Sequence, residues 1–455
     1  MLQCSEQYIL RLEIMNKKSP LMRILFPASR KFRCGALLVA TLLGSLSLAS
    51  GQTWTATTNG TWSNSANWAG GVPATSGATV TLNGTVTDVT STIDSAWSAN
   101  GSVSGLNFVM GAGKFYLNPG AGVTDFSIGS GGIITNSGTI GSTYLQGPVT
   151  LTANQTWNLN GTTGFFRIDG TSVLNVGAGV TLTKTGAQVL YVASGNGTFA
   201  GNYVENGGQT AFAYSNQYNR LGNNITFQNS DATASFAYTN TNNNATVSAN
   251  YVFAETGTSN RFGLTMTPTA GATATGQMSF TGNWSSTNAI SGSSLGNSIR
   301  LASGAAPTNS SFANAFTYNI TGDNSALTSA VTSNATTGAF KITSGIWVAG
   351  SANALGASNG LSVNIGEISS SASGVAAGFW SKGYDVGATI TTALNTNAAP
   401  QSEVITIGNS NTSGTATFSG PISFTKSATA NQVPTVNLVS NVGSRANFSG
   451  NIADA

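Results

Sequence analysis

A short strand, a glycine-bearing corner and a second strand recur along this chain, and that module limits the folds open to it more than any other feature. Phe199-Ala200-Gly201-Asn202-Tyr203 returns as Phe280-Thr281-Gly282-Asn283-Trp284, as Phe418-Ser419-Gly420-Pro421-Ile422 and as Phe448-Ser449-Gly450-Asn451-Ile452. The fullest unit spans residues 173–208. Within it Val180 and Leu182 alternate with Thr181 and Thr183, the period of two that lets a strand bury one face. Val189-Leu190-Tyr191-Val192 is a β-branched and aromatic run too short for a helix. The hexapeptide Val180-Thr181-Leu182-Thr183-Lys184-Thr185 returns as Ile422-Ser423-Phe424-Thr425-Lys426-Ser427, apolar for apolar, hydroxyl for hydroxyl and Lys for Lys. Uneven spacing between copies marks a degenerate repeat with insertions. Gly followed by Asn suits a corner of positive φ, so Gly186, Gly201, Gly282, Gly420 and Gly450 are expected at repeated corners.

Leu182-Thr183-Lys184-Thr185-Gly186, followed by Val189-Leu190-Tyr191-Val192 and Thr198-Phe199-Ala200-Gly201, resembles the autotransporter-associated β-strand repeat. Ile342-Thr343-Ser344-Gly345-Ile346-Trp347-Val348 with Ala354-Leu355-Gly356 is similar to the segment that follows in that family, and Asn219-Arg220-Leu221-Gly222 to its end. The chain departs from the family pattern at Gln188 and Gly197. The resemblance implies a large secreted or surface protein of bacteria folded as a right-handed parallel β-helix. It carries no catalytic residue with it.

Residues 1–52 differ from the rest. Seven of the 17 Lys and Arg lie there, ahead of an apolar run from Cys34 to Leu48 that is shorter than the roughly 20 residues needed to span a bilayer. Small residues follow at 47–51, so the segment reads as a signal peptide with a long basic start, cleaved between Ala49 and Gln52, with Met15 and Met22 as alternative starts. Both cysteines, Cys4 and Cys34, belong to it. The exported chain must therefore gain its stability from burial and backbone pairing rather than from disulfides. Ten basic and twelve acidic residues remain after the leader, a net charge of −2. The basic residues are scattered singly, which disfavours nucleic acid as a partner.

Trp54, Trp62 and Trp68 cluster in an opening block, residues 53–85, that commonly starts proteins of the resembled family. Two readings compete for these rings: a cap over the first coil of a solenoid, whose terminal repeat is atypical, and an aromatic platform that contacts carbohydrate. Residues 86–455 read as degenerate β-helix repeats, with strand-sized runs at 103–110, 115–117, 149–151 and 165–168. Gly-rich turns are expected at 129–132, and loop excursions at 240–244 and 369–373. Residues 447–455 read as the start of a further repeat that is then cut off.

The chain has no His, which removes Ser-His-Asp and Cys-His catalysis and imidazole zinc sites. The acids remaining after the leader are dispersed, the closest pair being Asp88 and Asp94, and none forms the paired-carboxylate motif of a glycoside hydrolase. Each reads as a turn residue bonded to its own backbone. Neither the Gly-Asp nonapeptide of calcium-binding β-rolls nor an EF-hand loop is present. No cofactor and no metal site is expected.

The fold expected is all-β, an elongated right-handed parallel β-helix; a pair of β-sandwich domains is the runner-up. Coils of about 20 residues would give about 20 coils and a rod of about 90–100 Å. The function expected is a non-enzymatic passenger, extracellular or on the cell surface in association with the outer membrane, with a structural or adhesive role. The alternative is a β-helix that binds or degrades polysaccharide. Extracellular polysaccharide or other cell-surface components are the partners either reading implies.

Overall fold

The alternation in the sequence carries directly into strands. Ala78–Asn83 buries Ala78, Val80 and Leu82 while Thr79, Thr81 and Asn83 face outward, and Phe165–Ile168, Val173–Val176 and Val189–Val192 follow the same rule. The computed structural model describes residues 51–454 apart from 85–86, 137, 139–140, 170–172, 194–196, 214–216, 230–233, 242–243, 256–261, 269–276, 288–298, 304–315, 330–337, 367–376, 394–403 and 426–434. Residues 1–50, the excursion at 369–373, Asn242 and Asn243 of the Asn-rich tract, and Lys426 with Ser427 therefore lie outside the described residues. Asn240 itself falls in a strand, Ala234–Thr241, rather than in a loop.

The strands stack as a β-solenoid. Among the described residues one sheet has thirteen strands, one fifteen and one seven, with a two-stranded sheet formed by Gly414–Phe418 and Ser444–Phe448. Pairing is parallel throughout, except that Trp68–Ala69 returns antiparallel onto Gln52–Trp54 at the start. Most chain-consecutive strands sit in different sheets, with exceptions such as Pro148–Leu151 and Gln155–Leu159, or Val173–Val176 and Thr181–Thr185, which share the thirteen-stranded sheet, and strands pair chiefly with their counterparts one coil later. This is a solenoid ladder and not the antiparallel pairing of a β-sandwich. No α-helix occurs among the described residues.

Coils are longer than the sequence suggested. Fourteen steps of the fifteen-stranded sheet carry the chain from Gly60 to Ile452, about 28 residues per step. At about 4.8 Å per step the sheet is about 67 Å long, not 90–100 Å. The expected figure assumed the shortest solenoid repeat, whereas here each coil holds two or three strands together with the corners and insertions that join them.

Inward side chains form columns. Leu190, Thr210, Phe236, Leu264, Leu301, Ile342 and Ile365 are in register through seven successive strands, and all are buried. Burying each large apolar member stabilises by about 1.5–3 kcal/mol. Aromatic rings stack down the same interior: Phe227 lies 5.4 Å from Phe253 at 8°, and Phe212 5.1 Å from Tyr238 at 13°.

The corner glycines are required for a reason other than the one the sequence suggested. Only Gly186 of the five has positive φ, at 83°. At the other four a Cβ would strike backbone of the preceding coil: 2.2 Å from Val180 O at Gly201, 1.9 Å from Ala249 O at Gly282, 2.0 Å from Ala388 O at Gly420 and 2.0 Å from Gly420 O at Gly450. Coil-to-coil approach, not backbone handedness, excludes a side chain there. Nor are the four corners equivalent. Gly201 and Gly282 precede strands of the thirteen-stranded sheet (Asn202–Glu205 and Trp284–Ser286), whereas Gly420 and Gly450 precede strands of the fifteen-stranded sheet (Ile422–Thr425 and Ile452–Asp454). The two copies of the hexapeptide divide in the same way, Thr181–Thr185 in the first sheet and Ile422–Thr425 in the second. One local module has been used at two junctions of the coil.

Gly129 to Gly132 is likewise no turn. It lies within the long strand Asp125–Thr135, where Gly132 adopts φ 62° and the register slips against Asn100–Val109.

Candidate functional site

Three groups of side chains stand out from the repeating polar surface and the apolar core. The first is the opening tryptophan block. Trp54 and Trp62 are wholly buried and Trp68 is 6% exposed, packed edge-to-face at 5.1 and 5.2 Å and joined by Trp97 and Phe126. Trp62 Nε1 donates to Ser91 Oγ at 2.8 Å, Trp68 Nε1 to Trp62 O at 2.9 Å and Trp97 Nε1 to Pro73 O at 2.8 Å. The block closes over the end of the core, and the sugar-platform expectation finds no exposed ring face at Trp54, Trp62 or Trp68. Bulky rings cover the first coil, which no earlier coil precedes among the described residues.

An outward aromatic strip lies elsewhere, on the fifteen-stranded sheet. Tyr116, Tyr144, Arg167 and Tyr191 form one register column, with Phe165 beside it. Their strand neighbours Phe115, Leu117, Leu145, Phe166 and Leu190 point inward. Tyr116 and Tyr144 stack at 4.6 Å and 20°; Phe165 meets Tyr144 at 5.6 Å and 77°, and Tyr191 at 5.1 Å and 61°. Tyr116, Phe165 and Tyr191 are half-buried, and Tyr144 is the most enclosed of the four. Burial, and then neighbouring Tyr116, push the Tyr144 hydroxyl above its usual pKa, against the pull of Lys114 and Arg167. Arg167 is held by Asp169 at 2.8 Å. The strip thus joins apolar ring edges to phenol, guanidinium and carboxylate groups within one short span.

On the thirteen-stranded sheet, the break between Pro148–Leu151 and Gln155–Leu159 leaves an open hollow of about 420 Å³ lined by Ser130, Asn154, Gln155, Thr156, Thr181 and Thr183. Its hydroxyl and amide groups are partly engaged already, since Asn154 Oδ1 accepts from Thr181 N at 2.8 Å.

The third group is buried. Lys184 on Thr181–Thr185 faces Glu205 on Asn202–Glu205 in register, inside the core, and neither side chain is exposed at all. Lys184 Nζ lies 3.2 Å from Glu205 Oε1 and donates to Gly207 O at 2.6 Å and Gly186 O at 3.2 Å. Glu205 Oε2 accepts from Tyr203 Oη at 2.8 Å and Thr210 Oγ1 at 2.5 Å. Burial raises the Glu205 carboxyl above its usual range; Lys184 and the two hydroxyls act in the opposite direction.

Several other acids serve the stack. Asp88 Oδ1 accepts from Lys114 N at 2.9 Å and Asp385 Oδ1 from Thr417 N at 2.8 Å, each one coil later. Asn219, Asn250 and Asn283 do the same for Ser248 N, Asn283 N and Asp323 N at 2.8, 2.8 and 2.9 Å. The two acids bond across coils and not, as expected, only to their own turns. No group of three or more metal-ligating side chains occurs among the described residues, and no described helix is long and apolar enough to cross a membrane.

No protein-family model matches the chain, and neither a curated protein nor a solved structure is detectably similar to it.

Proposed function

We propose that this chain is a non-enzymatic β-solenoid passenger, exported to the cell surface or beyond, that acts structurally or adhesively through its outer faces. The observation that carries the reading is the ladder itself. Fifteen strands pair in one sheet, and Asn and Asp side chains bond backbone N–H groups of the next coil, so the fold presents long faces of Thr, Asn and Tyr at a fixed rung spacing. The leader-like residues 1–52, and the resemblance of residues 182–201 to a repeat of secreted bacterial proteins, support export. Digestion of intact cells with a protease tests this. Loss of the native protein without lysis is the expected result, and recovery in the soluble cytoplasmic fraction contradicts it.

The aromatic strip favours a second reading, contact with extracellular polysaccharide, because a pyranose has apolar C–H patches bordered by hydroxyls. On a glycan array, Tyr144→Ala should weaken any retention at least several-fold, whereas Thr79→Ser, on the outer face of the other large sheet, should leave it unchanged. A reducing-sugar assay on retained glycans separates binding from cleavage. Equal retention by both variants removes the strip from the reading.

A further inference from the structure

The Lys184–Glu205 contact has a feature that an ordinary ion pair lacks. Oε2 is saturated by two hydroxyl donors, but buried Oε1 accepts no hydrogen bond, although Lys184 Nζ is only 3.2 Å away. The nitrogen stands beside the carboxyl group outside hydrogen-bond geometry, its donated hydrogen bonds directed at Gly186 O and Gly207 O. In the same inward column Trp157 lies one coil before Lys184, and Phe227 one coil after Glu205. Charges confined in such surroundings, with one carboxylate oxygen unsatisfied, are costly. One proton transfer within the pair yields a neutral amine and a neutral acid held at contact distance. Intramolecular placement of this kind is equivalent to effective concentrations on the order of 10⁵–10⁸ M.

We propose that Lys184 and Glu205 condense to an intramolecular amide that staples two adjacent coils of the solenoid. The ammonium passes a proton to Oε1, and the freed Nζ lone pair attacks Cδ, forming the N–C bond. Tyr203 and Thr210 hydroxyls hold the charge that develops on Oε2, the oxygen retained as the amide carbonyl. A second Nζ proton moves to Oε1, the C–Oε1 bond breaks and water leaves. One ammonium and one carboxylate become one secondary amide and one water, with no change of oxidation state and no further reactant. The staple removes both buried charges and makes the spacing of these coils covalent.

Intact-mass measurement of the full chain under denaturing conditions, followed by peptide mapping, tests this. The folded protein should be one water lighter than its sequence, and digestion should release a branched peptide joining the Lys184 and Glu205 segments. Chain kept unfolded in denaturant from synthesis should have full mass and lose the water on refolding. Glu205→Gln supplies a distinguishing result: it should condense with loss of ammonia and reach the same final mass as the stapled wild type, whereas Lys184→Arg should keep its full mass. Wild-type protein that is folded by circular dichroism yet has full mass and two separate peptides overturns the proposal. That result stands on the wild type alone, whether or not either variant folds.

Discussion

Replacing Gly282 by Ala separates close coil approach from backbone handedness. The added Cβ would stand 1.9 Å from Ala249 O and 2.4 Å from Ala249 C, where ordinary contact begins at 3.4 Å. The two coils would have to part locally by about 1.5 Å, the gap between those two distances. Both sides of the clash are backbone, so no rotamer relieves it. Overpacking of this kind costs about 1–3 kcal/mol, occasionally more. Parting the coils also stretches Thr281 N to Val247 O (2.8 Å) and Asn283 N to Asn250 Oδ1 (2.8 Å), each contributing about 0.5–1.5 kcal/mol. A loss of about 3 kcal/mol is therefore expected. Gly414→Ala is the control: φ is 79° there, but no atom lies within 4 Å of the new Cβ, so only the left-handed penalty of about 1–2 kcal/mol applies. Urea titration gives the two costs, and hydrogen exchange locates them. Exchange should open around 247–283 in Gly282→Ala while distant coils stay protected, as expected when each coil contacts only its neighbours. A Gly282→Ala protein as stable as wild type, or a larger loss in Gly414→Ala, would refute the close-approach argument.

Lys184→Met strands the buried Glu205 carboxyl group and should be less stable by about 3–5 kcal/mol, measured by urea unfolding, than Lys184→Met with Glu205→Leu, whose core carries neither group. Asp94 accepts from Ser63 N at 3.1 Å and Trp97 N at 3.0 Å; burial raises its pKa, but these N–H donors outweigh it and bring the value below 3.8. Its contribution is therefore present above pH 3.8 and lost as pH falls through the lower folded value, so tryptophan fluorescence of the opening block should change in that acid range and Asp94→Asn should remove the change.

Period-two alternation and the absence of helical patterning were enough for the strands: Val189–Val192 and Phe165–Ile168 have the bounds that their residue types suggest. The coil was harder to read. Phe199, in an isolated bridge to Val176, and Phe418, at the end of a strand, look alike because each precedes a tight corner, but nothing in five residues records which sheet receives the next strand. That is set by the length of chain filling the rest of the coil, which varies with the insertions. The site followed the same logic in reverse. Trp54, Trp62 and Trp68 attract notice because they are close in sequence, yet that density belongs to an end cap. Tyr116, Tyr144, Arg167 and Tyr191 are one coil apart, so their column becomes visible only once the register is known. Lys184 appeared in the sequence as the Lys of a repeated hexapeptide, although Leu182 and Lys184 share one face by alternation. A charge at an inward position was the available signal that it needed a buried partner, and Glu205 supplies it.

The solenoid register can be measured directly, because the chain beyond residue 52 contains no cysteine and accepts labels only where they are placed. Gln209, Ser235, Gly263, Arg300, Lys341, Asn364, Thr391 and Ser423 occupy one column through eight consecutive strands of the fifteen-stranded sheet. Nitroxides on cysteines replacing Gln209 and Lys341 are four steps apart, about 19 Å between backbones, and those replacing Gln209 and Ser423 seven steps apart, about 34 Å, at about 4.8 Å per step. Pulsed dipolar spectroscopy should return two narrow distributions whose means differ by about three steps, roughly 14 Å. Equal means, or a Gln209–Ser423 distance shorter than the Gln209–Lys341 distance, would contradict a single parallel stack of coils.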